Sequence, residues 1–195
     1  MNYLAHIYLS GDNEIVTIGN FIADGIKGRS INDYSIHIQK GIKLHRSIDH
    51  FTDTHDIVKQ SKKKLWKRYR HYNAVIVDIF YDHFLAKNWS NYHSTDLKEF
   101  TNNSYSIFEK NISLFPAKMR HFFSHMVKHD WLYNYQFIEG IKTVMRGMAA
   151  RTTHNSGMEH STEELVKYYD EFAYEFESFF PLLEQFVHTK IVSLK

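Results

Sequence analysis

The segment Asn73 to Trp89, NAVIVDIFYDHFLAKNW, is the strongest constraint on what this chain can fold into. Val75, Ile76, Val77, Ile79, Phe80, Phe84 and Leu85 fall around every side of a helical wheel, which predicts a central helix packed on most of its faces. Such a helix has to be wrapped by others, and the rest of the chain supplies them. Helical periodicity recurs throughout and strand alternation hardly appears. In IHIQKGIKLHRSIDHF, Leu44, Ile48 and Phe51 lie three and four apart and form one apolar stripe. Further on, Ser161 and Glu164 have capping-box spacing ahead of a long final helix. In that helix Leu165, Tyr169, Phe172, Phe176, Phe179 and Leu183 recur at helical spacing, and Pro181, which has no amide donor, should kink or break it. SLFPAKM around Pro116 and RTTHNSGMEHS from Arg151 read as loops. With 195 residues and only two prolines, no linker is marked, so the expected architecture is an all-α, single-domain helical bundle covering residues 1–195.

Composition removes several kinds of chemistry. The absence of cysteine excludes disulfides, thiolate metal sites and cysteine nucleophiles, and it suits a reducing cytosol. Any metal must be held by nitrogen and oxygen. MNYLAHIYLSGDNE has no basic leader, and no apolar run reaches the roughly 18 to 20 residues of a membrane helix, so a soluble cytoplasmic protein without a membrane role is expected. Lys plus Arg number 24 against 22 for Asp plus Glu, a net charge of +2 that is too balanced for a nucleic-acid binder. The 14 histidines are too many for one site, although they would add positive charge below about pH 6.5.

The chemistry-bearing residues sit awkwardly on this framework. On the central helix Asp78 and Asp82 share a stripe, and His83 lies about 100° away among Ile76, Ile79, Phe80 and Phe84. An ionised carboxylate buried there costs several kcal/mol unless it is hydrogen-bonded or metal-bound, and a buried imidazole needs a partner for each nitrogen. On the helix that carries Leu44, the residues Ile42, His45, Asp49 and Thr52 are spaced by three, four and three, so His45 and Asp49 project from one face a turn apart. Two readings stand side by side: each polar group has an ordinary protein partner, or one divalent cation is shared between helices. In HFFSHMVKH, His121, His125 and His129 recur every four residues with only Asp130 as a nearby acid, and they read as an exposed or packed histidine face. SKKKLWKRYR crowds Lys62, Lys63, Lys64, Lys67, Arg68 and Arg70 onto a helix whose Leu65, Trp66 and Tyr69 can turn inward. That is either a solvated face or a docking surface.

Several of these strings occur together in one known family. NYLAHIYL at the start, GNFIADGIKG from Gly19, GIKLHRSIDHFTD from Gly41, VDIFYDHFLAKNW from Val77 and GMAAR from Gly147 resemble the acyl carrier protein phosphodiesterase family, in the family's order and over nearly the whole chain. The resemblance implies an HD-phosphohydrolase-like helical enzyme that uses a divalent metal, typically Mn²⁺, to remove the 4′-phosphopantetheine arm from a carrier-protein serine. It implies Asp24, His45, Asp82 and His83 as metal ligands, with His6, Asp49 and Asp78 as further ligands or as partners that orient them. A hard nitrogen and oxygen site suits Mn²⁺, Mg²⁺ or Fe²⁺. Asp49 or Asp78 would orient or deprotonate the attacking water, and Arg46 or Arg151 would fork two donors onto phosphate oxygens. Because carrier proteins are acidic, the resemblance also makes the basic stretch 61–70 a candidate docking surface. Two rivals remain: the same chemistry on a nucleotide or other small phosphoester, and a non-catalytic helical module that grips an acidic protein.

Overall fold

A computed structural model describes residues 1–193, which form eleven α-helices joined by short 3₁₀ turns and no strand. In chain order these are α1 (Tyr3–Tyr8), α2 (Glu14–Ile22), α3 (Ile36–Thr54), α4 (Asp56–Tyr69), α5 (Asn73–Lys87), α6 (Leu97–Lys110), α7 (Ala117–Lys128), α8 (Trp131–Asn134), α9 (Ile138–Ala149), α10 (Thr162–Lys167) and α11 (Tyr169–Ser193). The all-α expectation holds. Helix α5 is the hub: Ile76, Val77, Ile79, Phe80, Phe84 and Leu85 are all buried, and α1, α4, α9 and α11 pack around it. From α11, Phe172 meets Phe80 edge-on and Phe176 meets Tyr81 likewise. Each fully buried phenylalanine contributes roughly 1.5–3 kcal/mol from the area it removes from water. No helix among the described residues is long and apolar enough to cross a membrane.

Three local expectations are corrected. Ser161 does not cap: its backbone is already helical (φ −65°, ψ −19°) because the turn Met158–His160 runs straight into α10, and its hydroxyl has no partner among the described residues. Glu164 turns instead to Arg68 and Tyr69. The last helix breaks at Tyr168, between α10 and α11, and continues unbroken through Pro181. Pro181 and Glu177, whose carbonyl loses its amide partner, are both exposed, so water can take the missing donor's place while Phe179, Phe180 and Leu183 hold the inner face down. Near Pro116 only the first half of the expected loop is irregular. The proline stands at the N-cap of α7, where a missing N–H costs nothing, and Ala117 to Met119 are helical.

The packing of α2 on α3 bears directly on function. A Cβ on Gly19 would stand 2.2 Å from the Ile38 carbonyl oxygen, and one on Gly41 would stand 2.1 Å from that of Val16. Two glycines therefore let the helix backbones touch. Asn20 follows the first glycine and His45 lies one turn beyond the second, so this close crossing sets their separation.

Candidate metal centre

The centre is assembled from four short pieces of chain. Helix α1 is too short to hold its place alone, and Asn2 at its N-cap offers no side-chain cap. Asp82 of α5 supplies that cap from a distance, accepting the backbone N–H groups of Asn2 (3.2 Å), Leu4 (2.7 Å) and Ala5 (3.4 Å). His6 is thereby fixed. Helix α2 brings Asn20, the 3₁₀ turn Ala23–Gly25 brings Asp24, and α3 brings His45 and Asp49 on one face.

The two imidazoles stack, with centroids 4.0 Å apart and planes 19° from parallel. Both Nδ1 atoms face one oxygen, Asn20 Oδ1, at 2.8 Å from His6 and 3.1 Å from His45. The amide orientation is set by its other end, where Nδ2 donates to the His6 carbonyl (3.0 Å) and to Ser10 Oγ (2.9 Å). Oδ1 can only accept, so each Nδ1 carries a proton and each Nε2 points the opposite way. There they meet carboxylates: His6 Nε2 lies 3.1 Å from Asp49 Oδ1, and His45 Nε2 lies 3.0 Å from Asp49 Oδ2 and 3.2 Å from Asp24 Oδ1. One ligand atom from each of His6, His45 and Asp49 falls within 4.8 Å of the others. With neutral rings the whole cluster consists of acceptors. That arrangement is repulsive unless a cation occupies it.

In the protein alone the cation is a proton. Burial works against a charged His45, but its bonds to Asp24 and Asp49 outweigh burial and raise its pKa to about 9. Burial and the neighbouring His45 lower the pKa of His6. Asp49 and Asp24 are also buried enough to disfavour ionisation, yet their histidine partners pull both below the usual carboxylate range. A divalent ion would replace the extra proton between His6, His45 and Asp49, with Asp24 beside His45 as a further oxygen, so the donor set fits Mn²⁺, Mg²⁺ or Fe²⁺. The histidine side chains are almost closed off, 3% and 7% exposed, whereas those of Asp49 and Asp24 are 40% and 55% exposed and form the mouth.

The structure does not bring Asp82 and His83 into this group, which corrects their expected place as ligands. Asp82 commits both oxygens to α1, while burial pushes its pKa up to about 7 against the pull of the N-terminal ammonium and the three amides. His83 Nδ1 pairs with the Tyr135 carbonyl at 2.8 Å and Nε2 with the Tyr169 hydroxyl at 2.9 Å, and burial lowers its pKa to about 4. It is a neutral core histidine. Asp78 is likewise engaged elsewhere, 2.9 Å from the Met1 ammonium. The predicted residues that do converge are His6, His45 and Asp49, with Asp24 joined to them through His45. Asn20, which pins both rings, and Tyr3, whose hydroxyl donates to Asp24 Oδ2 at 3.4 Å, were missed by sequence reasoning. Asn20 sits inside GNFIADG between His6 and Asp24, but an asparagine carries no charge pattern that would single it out.

Both arginines lie near segments that border the cluster. Arg46 donates to the Ile26 carbonyl at 3.3 Å, beside the Asp24 turn. Arg151 lies 5.3 Å from the Phe122 ring and 5.6 Å from the Trp131 ring, and Phe122 packs 4.7 Å from Tyr3. Half of the basic run on α4 is neutralised by neighbouring helices: Lys62 pairs with Asp53, Lys64 with Glu171 and Glu175, and Arg68 with Glu163 and Glu164. Lys63, Lys67 and Arg70 are left outward, with Arg70 over Trp66.

Known proteins place the chain consistently. No solved structure matches it. Proteins named acyl carrier protein phosphodiesterase are similar to it along almost their whole length. The one from Photorhabdus laumondii is 30% identical over 97% of this chain and 96% of its own, and that from Escherichia coli O6:H1 is 30% identical over 95% and 97%. The one from Yersinia pestis is 28% identical over 98% and 100%. A family profile described as acyl carrier protein phosphodiesterase covers residues 1–183, and with the matches to those relatives it shows that the chain belongs to the acyl carrier protein phosphodiesterase family.

Proposed function

We propose that this chain is a divalent-metal-dependent phosphodiesterase that removes the 4′-phosphopantetheine arm from the serine of holo-acyl carrier protein and leaves the apo form. Family membership supports the reaction class and the carrier as substrate. The observation that carries the metal dependence is the all-acceptor cluster of His6, His45, Asp49 and Asp24, with both rings turned toward the carboxylates by Asn20. Imidazole and carboxylate pairs drawn from separate helices also fit the plan of an HD-type phosphohydrolase.

Those four side chains would hold the ion, with Mn²⁺ favoured and Mg²⁺ or Fe²⁺ also suited. Such an ion supplies Lewis acidity toward phosphoryl oxygens and acidifies water beside the phosphorus. The chain contributes the rest. Asn20 would keep both Nε2 lone pairs aimed outward, and the half-exposed carboxylates of Asp49 and Asp24 would orient the attacking water by accepting hydrogen bonds from it. Tyr3, held protonated by burial and by Asp24, remains a donor and fixes that carboxylate. Arg151 and Arg46 can fork onto the phosphate oxygens at the rim. Hydrolysis forms a new bond from water oxygen to phosphorus and breaks the bond from phosphorus to the serine oxygen, which leaves with a proton.

The test is the mass of holo-carrier protein after incubation with the purified chain, with and without Mn²⁺. Loss of the arm only with metal supports the reading. Intact holo-carrier with Mn²⁺, Mg²⁺ and Fe²⁺ alike refutes it, and faster hydrolysis of a nucleotide phosphodiester would point to a small substrate instead.

A further inference from the structure

The histidine stripe on α7 has no part in the metal centre, yet it lies beside it. Lys118, His121, His125, Lys128 and His129 follow one another at intervals of three, four, three and one, which puts them along one side of the helix. Phe122, on the edge of that side, packs on Tyr3, which in turn reaches Asp24. The far flank of α7 is anchored to the same segment, since Met119 and Pro116 press on Gly25 so closely that a Cβ there would meet Met119 at 2.6 Å. Arg151, stacked over Phe122, continues the stripe toward the mouth.

The charge on this surface is uncompensated. Among the described residues no carboxylate pairs with Lys118, Lys128 or Arg151, and Asp130, at the end of the stripe, is taken by Lys98. The titratable neighbours of His125 are all bases: His121, Arg151, His129 and Lys128. Helix α7 itself contains no Asp or Glu. Helix α4 differs, because Lys62, Lys64 and Arg68 have already met Asp53, Glu171, Glu175, Glu163 and Glu164, which leaves Lys63, Lys67 and Arg70 outward among compensated neighbours. A cation held by an internal carboxylate offers a partner little net field, whereas an unpaired row beside the mouth offers both attraction and register.

We infer that an acidic protein, the carrier itself, docks on the α7 stripe of Lys118, His121, His125, Lys128 and His129 with Arg151 at its inner end, and that the α4 helix is not the docking surface. The identity of the partner rests on the phosphodiesterase reading. Docking there would deliver a serine-linked phosphate past Arg151 to the half-exposed carboxylates.

Binding of apo-carrier protein, which has no arm to cleave, separates docking from catalysis. Fluorescence anisotropy at low ionic strength should show Lys118→Glu/Lys128→Glu binding at least about tenfold more weakly than wild type. Lys63→Glu/Lys67→Glu on α4 should stay within about twofold. The milder Lys118→Gln/Lys128→Gln guards against a fold defect and should fall between. Wild-type affinity should drop as salt is added. Equal binding by wild type and the α7 variants, a larger loss from the α4 pair, or no carrier binding at all overturns the inference. So does tighter binding of RNA or anionic vesicles than of the carrier through the same lysines. If the α7 variants lose carrier binding but wild type never cleaves the holo form, the docking surface stands and the phosphodiesterase reading falls.

Discussion

Replacing Asn20 with leucine tests whether one amide oxygen aims the whole centre. The change keeps approximate size and removes the acceptor that faces His6 Nδ1 at 2.8 Å and His45 Nδ1 at 3.1 Å. Two buried N–H groups would then be unpaired at about 1–3 kcal/mol each, so the metal-free protein should lose roughly 2–6 kcal/mol, less whatever the rings regain by rotating. Freed rings no longer hold Nε2 toward the carboxylates, and Mn²⁺ affinity should fall about 10- to 100-fold. Asn20→Asp is the informative contrast: it keeps an acceptor oxygen but loses the donor to the His6 carbonyl and Ser10. It should be destabilised by about 1–3 kcal/mol while keeping most of its Mn²⁺ affinity. Thermal unfolding gives the stability change, and the electron paramagnetic resonance of free Mn²⁺ gives the affinity. A folded Asn20→Leu protein that binds Mn²⁺ as tightly as wild type would refute the pinning of both rings by this residue.

Further predictions follow from the same geometry. His83→Ala should lower stability by leaving the Tyr135 carbonyl and Tyr169 hydroxyl without partners but spare Mn²⁺ binding, whereas His6→Ala should abolish binding; equal loss of Mn²⁺ from both, in a titration, would restore His83 to the ligand set. Asp82→Asn should cost about 1–3 kcal/mol and also weaken Mn²⁺ binding, since three α1 amides lose a charged acceptor and His6 loosens with them; urea unfolding and metal titration check the two halves. In chelator, the raised His45 pKa of about 9 means that its stabilising pairs are fully present below about pH 6.5 and vanish as pH climbs through 9. Melting temperature should therefore decline across that window, and saturating Mn²⁺ should flatten the decline. Gly41→Ala should destabilise the fold by about 1–3 kcal/mol, because its Cβ would strike the Val16 carbonyl, and thermal melting reads this directly.

How far the sequence could be read depended on the range of the interaction. The hub helix was legible because its apolar residues fall within one window, and so was the pairing of His45 with Asp49, a turn apart on α3. The anomaly at Asp82 was also visible, but its solution was not: the groups that satisfy it belong to α1, nearly eighty positions earlier, and backbone amides leave no trace in side-chain pattern. The ion pairs of the basic helix were hidden for the same reason. Its neutralising glutamates arrive from α10 and α11, about a hundred residues on, so a charge run that reads as free locally is partly spent in the fold.

All four cation-facing groups come from the first quarter of the chain, but the carboxylate that holds α1 in place comes from α5. A fragment ending after α4 would thus contain every candidate ligand and still be unable to present them together. During synthesis the cluster would stay open until the hub helix had emerged and docked, so a cation of any kind would find its place only once the surrounding walls exist.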